Sequence, residues 1–154
     1  MASTYTNFDK VNATNLYKGG VEITSTAAEL NALDGIASSV TELDEFVLTS
    51  EIVDVSTAGQ VYIPVPYAGT VQTIYSALGA VITTANAVLT AKVGGATYAS
   101  GTITIAHTAS AVGQVGSMSP TAMTIAAGEA LEIETNGAST ITSQVGITAV
   151  IRRT

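Results

Sequence analysis

The stretch Ala130-Leu131-Glu132-Ile133-Glu134-Thr135 alternates sharply between apolar and polar residues. Alternation with a period of two is the pattern of a β-strand that buries one face. We therefore predict a strand over residues 130–135, with Leu131 and Ile133 directed into the protein and Glu132 and Glu134 directed outward. Turn signals that contain glycine lie on both sides of this stretch.

The same pattern predicts six further strands in the C-terminal hundred residues. They cover residues 60–67, 70–78, 87–93, 102–106, 122–125 and 144–152, and turn signals separate them. In the first of these strands, Pro64 and Pro66 cannot donate to a β-ladder, so it lies at a sheet edge or leaves the sheet there. Seven or eight short strands predict a mainly β protein, an antiparallel β-sandwich of the jelly-roll or immunoglobulin-like type.

Composition excludes several classes of function. The 154 residues include no cysteine, which rules out disulfides, thiolate zinc sites and a cysteine nucleophile. The net charge of −7 argues against binding to nucleic acid. The start, Met1 to Tyr5, has no basic region followed by an apolar run, so we expect no signal peptide. The uncharged stretch 76–91 is shorter than the roughly 20 apolar residues of a membrane span, and we interpret it as two strands and a turn.

Charge is distributed unevenly along the chain. Residues 1–54 hold nine acidic and two basic residues, whereas Lys92 is the only charge from Val55 to Gly128. A typical domain is about one-quarter charged, and a neutral surface promotes association. The alternatives are a hydroxyl-coated monomer and a surface covered by copies of the chain or by a partner, of which we favour the second. We predict an arm over residues 1–54 and a sandwich domain over residues 55–154.

The arm contains a short internal repeat, at residues 25–31 and 38–44. Each copy has the S/T-x-x-E capping box that begins a helix, formed by Thr26 with Glu29 and by Ser39 with Glu42. The apolar positions at helical spacing are Leu30 and Leu33 in the first copy and Leu43, Phe46 and Val47 in the second. We expect an extended arm with two short helices. Such short helices must dock, either on their own domain or on other chains.

Residues able to carry catalysis are few. His107 is the only histidine, and no carboxylate lies near it in sequence. Glu132 and Glu134 lie about 7 Å apart on one face of a strand, a spacing that overlaps that of glycosidase carboxylates. The chain has no tryptophan and only two phenylalanines on which sugars would stack. The glycines match no nucleotide loop, and no calcium loop is present. We predict no enzyme activity, no cofactor and no metal site.

Two segments resemble proteins of bacteriophage particles. Residues 21–36, Val-Glu-Ile-Thr-Ser-Thr-Ala-Ala-Glu-Leu-Asn-Ala-Leu-Asp-Gly-Ile, resemble the T-x-x-E-L-N-x-L-D-G repeat of phage structural proteins, which include head decoration proteins and tail fibres. Most of residues 60–151 resemble a β-sandwich domain of phage and marine viral proteins. The resemblance implies a decoration (cement) protein on the outer surface of the phage head. It would be a homotrimer that bridges neighbouring copies of the major capsid protein.

Two sets of contact residues are expected under this hypothesis. The residues expected to contact the capsid from the arm are Tyr5, Phe8, Tyr17, Glu29, Leu30, Leu33, Glu42, Leu43 and Phe46. Tyrosine is favoured at protein interfaces, and the tyrosines expected at the trimer interface are Tyr62, Tyr67, Tyr75 and Tyr98. The alternative is a receptor- or glycan-binding module of a phage fibre, which the repeat fits equally well.

Overall fold

The structure is a computed structural model, and it describes residues 16–18, 21–23 and 44–154. The chain divides into two compact units, Met1–Val40 and Thr41–Thr154. In the first unit, β1 (Leu16–Lys18) and β2 (Val21–Ile23) form an antiparallel pair. The predicted helix that begins at Thr26 lies outside the described residues.

In the second unit, the described residues 44–154 form nine strands and one turn of 3-10 helix at His107–Ala109. The strands are β3 (Glu45–Ile52), β4 (Gly59–Pro64), β5 (Gly69–Leu78), β6 (Ala87–Val93), β7 (Ala96–Ile105), β8 (Val115–Met118), β9 (Thr124–Ile125), β10 (Ala130–Thr135) and β11 (Val145–Arg153). Most of the predicted strands are therefore confirmed within one or two residues at each end. The predicted division at residues 54–60 falls inside this unit, between β3 and β4.

Four antiparallel pairs nest inside one another in this unit. The innermost pair, β6 and β7, is joined by the turn at Gly94 and Gly95. Around it lie β5 with β8, β4 with β10, and β3 with β11. Successive pairs alternate between two sheets, whose strand orders are β4-β10-β6-β7 and β3-β11-β5-β8, with β9 added to β5. The second unit is thus one long hairpin that is wrapped into two layers.

One buried cluster joins the two sheets. The four-stranded sheet contributes Leu131 and Ile133, both fully buried, and the five-stranded sheet contributes Ile147 and Ile151. Full burial of each such side chain contributes roughly 1.5–3 kcal/mol. The inward direction predicted for Leu131 and Ile133 is confirmed, and the two sheets pack face to face as a β-sandwich.

The prediction of a helix through Phe46 and Val47 is wrong. These residues lie in β3, which pairs with β11 from Glu45 to Ile52. The apolar residues also fit a period of two, because Phe46, Leu48 and Ile52 point toward the core while Val47 is exposed. Hydrogen bonding to a complete neighbouring strand outweighs the local helical spacing, so the predicted arm of residues 1–54 includes a strand of the sandwich.

Strand β8 was not predicted, because its sequence contains Gly116 next to a turn signal. The structure shows why glycine occurs there. A Cβ on Gly116 would lie 2.7 Å from Cγ2 of Ile103 and 2.9 Å from Oγ of Ser76. The missing side chain lets β8 lie close to the core while it pairs with β5.

Gly137 packs against the backbone of Ala58, and this contact joins the loop after β10 to the loop before β4. Its φ is +65°, and a Cβ would overlap the backbone of Ala58. We expect Gly137→Ala to lower the free energy of unfolding by about 3 kcal/mol. The alanine would be strained by the left-handed backbone conformation at this position, and its Cβ would also displace the backbone of Ala58. Gly113→Ala is the control, because its φ is +76° with open space around it. It should cost about 1 kcal/mol. Urea unfolding measures both, and equal losses would contradict the role of Gly137.

Candidate interaction surfaces

The outward sides of the two sheets differ in chemical character. On the five-stranded sheet the outward positions hold mostly hydroxyl and apolar groups. We call this the neutral face, and it consists of Val47, Thr49, Thr73, Tyr75, Ala77, Val115, Ser117, Gly146, Thr148 and Val150. Charges lie at its margin, where Arg152 pairs with Glu45 at 2.9 Å and Glu51 is exposed.

Large apolar side chains are exposed on the neutral face. The exposed fraction is 58% for Val47 and 65% for Val115, and Tyr75 is 43% exposed. A shallow groove of about 390 Å³ runs among Thr49, Tyr75, Val115 and Thr148. Gly146 also lines the groove, and a Cβ there would meet nothing closer than 4.0 Å. The neutral face therefore offers apolar area with little charge to desolvate.

The outward side of the four-stranded sheet carries acidic and basic residues in register. Glu132 of β10 lies opposite Tyr62 of β4 and Lys92 of β6. The next outward residue, Glu134, accepts a hydrogen bond from Nζ of Lys92, and the two form an ion pair. Gln60 donates a hydrogen bond to the hydroxyl of Tyr62. We call this the charged face.

Glu132 lies on the outward side of its strand, as predicted, yet it is only 8% exposed. It lies in an interior strand, with Tyr62 and Lys92 on either side, and these long side chains cover it. An open pocket of about 510 Å³ adjoins it, lined by Tyr62, Gly94, Gly95, Glu129, Ala130 and Glu132. Sequence periodicity alone gave no signal of this burial or of the pocket.

His107 takes part in a turn. Its backbone N–H donates to Oδ1 of Asn86 at 3.1 Å, and its Nδ1 lies 2.9 Å from the same oxygen. Within residues 44–154 and the two short strands before them, no three His, Cys, Asp or Glu side chains are grouped so as to hold a metal ion. Over the same described residues, no helix is long and apolar enough to cross a membrane.

The four tyrosines predicted at a trimer interface do not lie on one surface. Tyr62 is on the charged face and Tyr75 is on the neutral face. Tyr98 is partly buried and packs against the core. Tyr67 forms an edge-to-face pair with Phe46, with ring centroids 5.9 Å apart, and the guanidinium of Arg153 lies 4.0 Å from its centroid.

The predicted capsid-contact residues lie mostly outside the described part of the chain. This holds for Tyr5, Phe8, Glu29, Leu30, Leu33, Glu42 and Leu43. Tyr17 lies in β1. Phe46 belongs to β3, where it packs against the core and contacts Tyr67, so it is not an arm residue. Comparison of the chain with protein-family models and with curated protein sequences found no match.

The ion pair on the charged face favours the charged form of Lys92. The pKa of Lys92 is raised above 10.5, first by its hydrogen bond to Glu134 and then by electrostatic attraction to Glu134 and Glu132. Because the pKa of Lys92 is raised on folding, the ion pair stabilises the folded state below pH 10.5. This stabilisation is lost as the pH rises through the pKa of Lys92 in the folded protein.

We expect Glu134→Gln to lower the pKa of Lys92, because the charged hydrogen-bond acceptor is removed. Glu132→Gln should lower it less, because Glu132 acts only by charge at a distance. Glu51→Gln, at the margin of the other sheet, is the control and should leave the pKa unchanged. NMR titration of the lysine Cε and Hε signals measures each pKa. An unchanged value in Glu134→Gln would contradict the pairing.

Proposed function

We propose that this chain is a structural protein of a bacteriophage particle, a homotrimeric decoration protein on the outer surface of the head. It would bridge neighbouring subunits of the major capsid protein and have no catalytic role. The observation that carries the proposal is the neutral face, an exposed sheet surface suited to contact between copies of an otherwise acidic chain.

The chemistry of the neutral face favours a second copy of the chain as its occupant. Residues 44–154 hold seven acidic and three basic residues, none of them on the neutral face, so contact between copies at the surfaces that carry the acidic residues brings like charges together. The neutral face avoids this repulsion, and its exposed Val47, Tyr75 and Val115 supply apolar area. The centres of interfaces are depleted in charged residues and enriched in tyrosine, which matches this composition.

The order of the strands in the two sheets also supports the proposal of a virion protein. The eight main strands, without the short β9, follow the order 1-8-3-6 in one sheet and 2-7-4-5 in the other. We infer a jelly roll from this nesting rather than an immunoglobulin-like sandwich. Jelly rolls are common in viral capsid and lectin domains. A fold by itself does not establish a function, so the T-x-x-E-L-N-x-L-D-G repeat at residues 26–35 supplies the link to phage particles.

The proposed mechanism is mechanical. A trimer that binds only the assembled lattice stabilises that lattice by mass action. The sandwich would form the body of the trimer through the neutral face, and the arm before β3 would contact the capsid. Stabilisation then requires no chemistry at any residue, only simultaneous contact with adjacent subunits.

We expect Tyr75→Glu and Val115→Glu to convert a trimer into monomers at micromolar concentration. Each substitution places a charge in the proposed interface, and burying an unpaired charge costs several kcal/mol. Thr104→Glu is the matched control, because Thr104 is exposed on the four-stranded sheet. It should leave the trimer intact. Light scattering coupled to size-exclusion chromatography gives the mass of each variant.

Two results would overturn the proposal. One is a monomeric wild-type chain at micromolar concentration that also fails to bind expanded phage capsids. The other is a virion image that locates the chain on a tail fibre rather than on the head, which would favour the receptor-binding alternative.

A further inference from the structure

Glu132, a mostly buried acidic residue, borders an open pocket on the charged face. Glu132 is more than nine-tenths buried. The nearest cation, Lys92, donates its hydrogen bond to Glu134 instead. None of the hydrogen bonds among the described residues involves the Glu132 carboxylate. The carboxylate oxygens are not fully enclosed, since the buried unpaired side-chain atoms among the described residues are Oγ of Ser76 and Nε of Arg152. A donor that enters the pocket would therefore meet a carboxylate to which no described group donates a hydrogen bond.

The pocket presents negative charge without a lining cation. Glu132 and Glu129 both line it, whereas Lys92 does not. One oxygen of Glu129 accepts a hydrogen bond from the backbone N–H of Ala126 at 2.9 Å, which fixes the carboxylate in its turn. Tyr62 adds an aromatic ring to the lining. Two carboxylates and an aromatic ring together attract a cation.

The turn between β6 and β7 leaves room for such a group. Gly94 and Gly95 line the pocket, and a Cβ on either would meet nothing within 4 Å. The volume of about 510 Å³ exceeds that of a single bound ion, and it lies in the range of sites for organic groups. An arginine side chain satisfies these features together, because guanidinium binds carboxylates through several N–H donors and stacks on aromatic rings.

We propose that this pocket binds an arginine side chain presented by a partner protein, with Glu132 as the main anion and Tyr62 as the stacking surface. The partner is therefore a protein with an exposed basic segment. This role is independent of the proposed virion role. The pocket lies on the charged face, and self-association through the neutral face leaves it accessible, so failure of either proposal leaves the other standing.

The test uses small probes and the full chain in its native oligomeric form. N-acetyl-arginine methylamide is titrated while backbone NMR signals are followed, and N-acetyl-citrulline methylamide serves as the uncharged probe of equal shape. We expect saturable shifts of Gly94, Gly95 and Glu132 with the arginine probe only. Glu132→Gln should weaken binding at least fivefold. Glu51→Gln, which changes an exposed carboxylate of β3 in the other sheet, should leave binding unchanged.

Variants of Tyr62 separate stacking from folding. Tyr62→Phe keeps the ring and should retain binding within about twofold, whereas Tyr62→Leu should lose most of it. Any of four results would overturn the proposal. These are no saturable shift with the arginine probe, equal binding of the citrulline probe, unchanged binding in Glu132→Gln, and shifts of the same residues by methyl α-glucoside but not by arginine.

Discussion

The pairing of β11 with both β3 and β5 is the constraint on which the rest of the structure depends. The last strand lies between the first and third strands of the sandwich. It pairs in register with β3 from Glu45 to Ile52, and with β5 from Gly69 to Leu78 with a β-bulge between Val150 and Ile151. Bringing residues about a hundred positions apart together costs loop-closure entropy. The buried row of Val145, Ile147 and Ile151 offsets this cost, because all three are at most 1% exposed.

Closure of the sandwich also determines the two outward faces. Side chains alternate along each strand. When one set of residues points into the core, the residues between them therefore point outward. The outward rows of β4, β6 and β10 bring Tyr62, Lys92 and Glu132 together. The outward rows of β3, β5 and β11 bring together Thr49, Tyr75 and Thr148. The separation of charged from neutral surface is thus a consequence of the strand order and not of any local segment.

The sequence predicts the strands in which apolar and polar residues alternate strictly. It does not predict features that depend on residues far away in the chain. Residues 87–93 and 130–135 were predicted with the bounds that the structure has. Strand β3 was missed because Phe46 and Val47 also fit helical spacing, and only its pairing with β11 decides between the two. The outward direction of Glu132 was predictable, but its burial was not. Its covering residues Tyr62 and Lys92 are 70 and 40 positions away, and their approach is a product of strand order.

The two proposed contacts place different physical requirements on a surface. Contact between copies favours a surface with little charge, since a charge buried in the contact must lose its water and is stabilised only if the neighbouring copy pairs it. Recognition of a basic partner favours anionic groups held in a partly dry site, where electrostatic attraction is stronger than in water. The sandwich could carry two such surfaces because its sheets have opposite outward directions. Substitutions on one face lie across the core from the other and share no contacts with it, so their effects on binding should add independently.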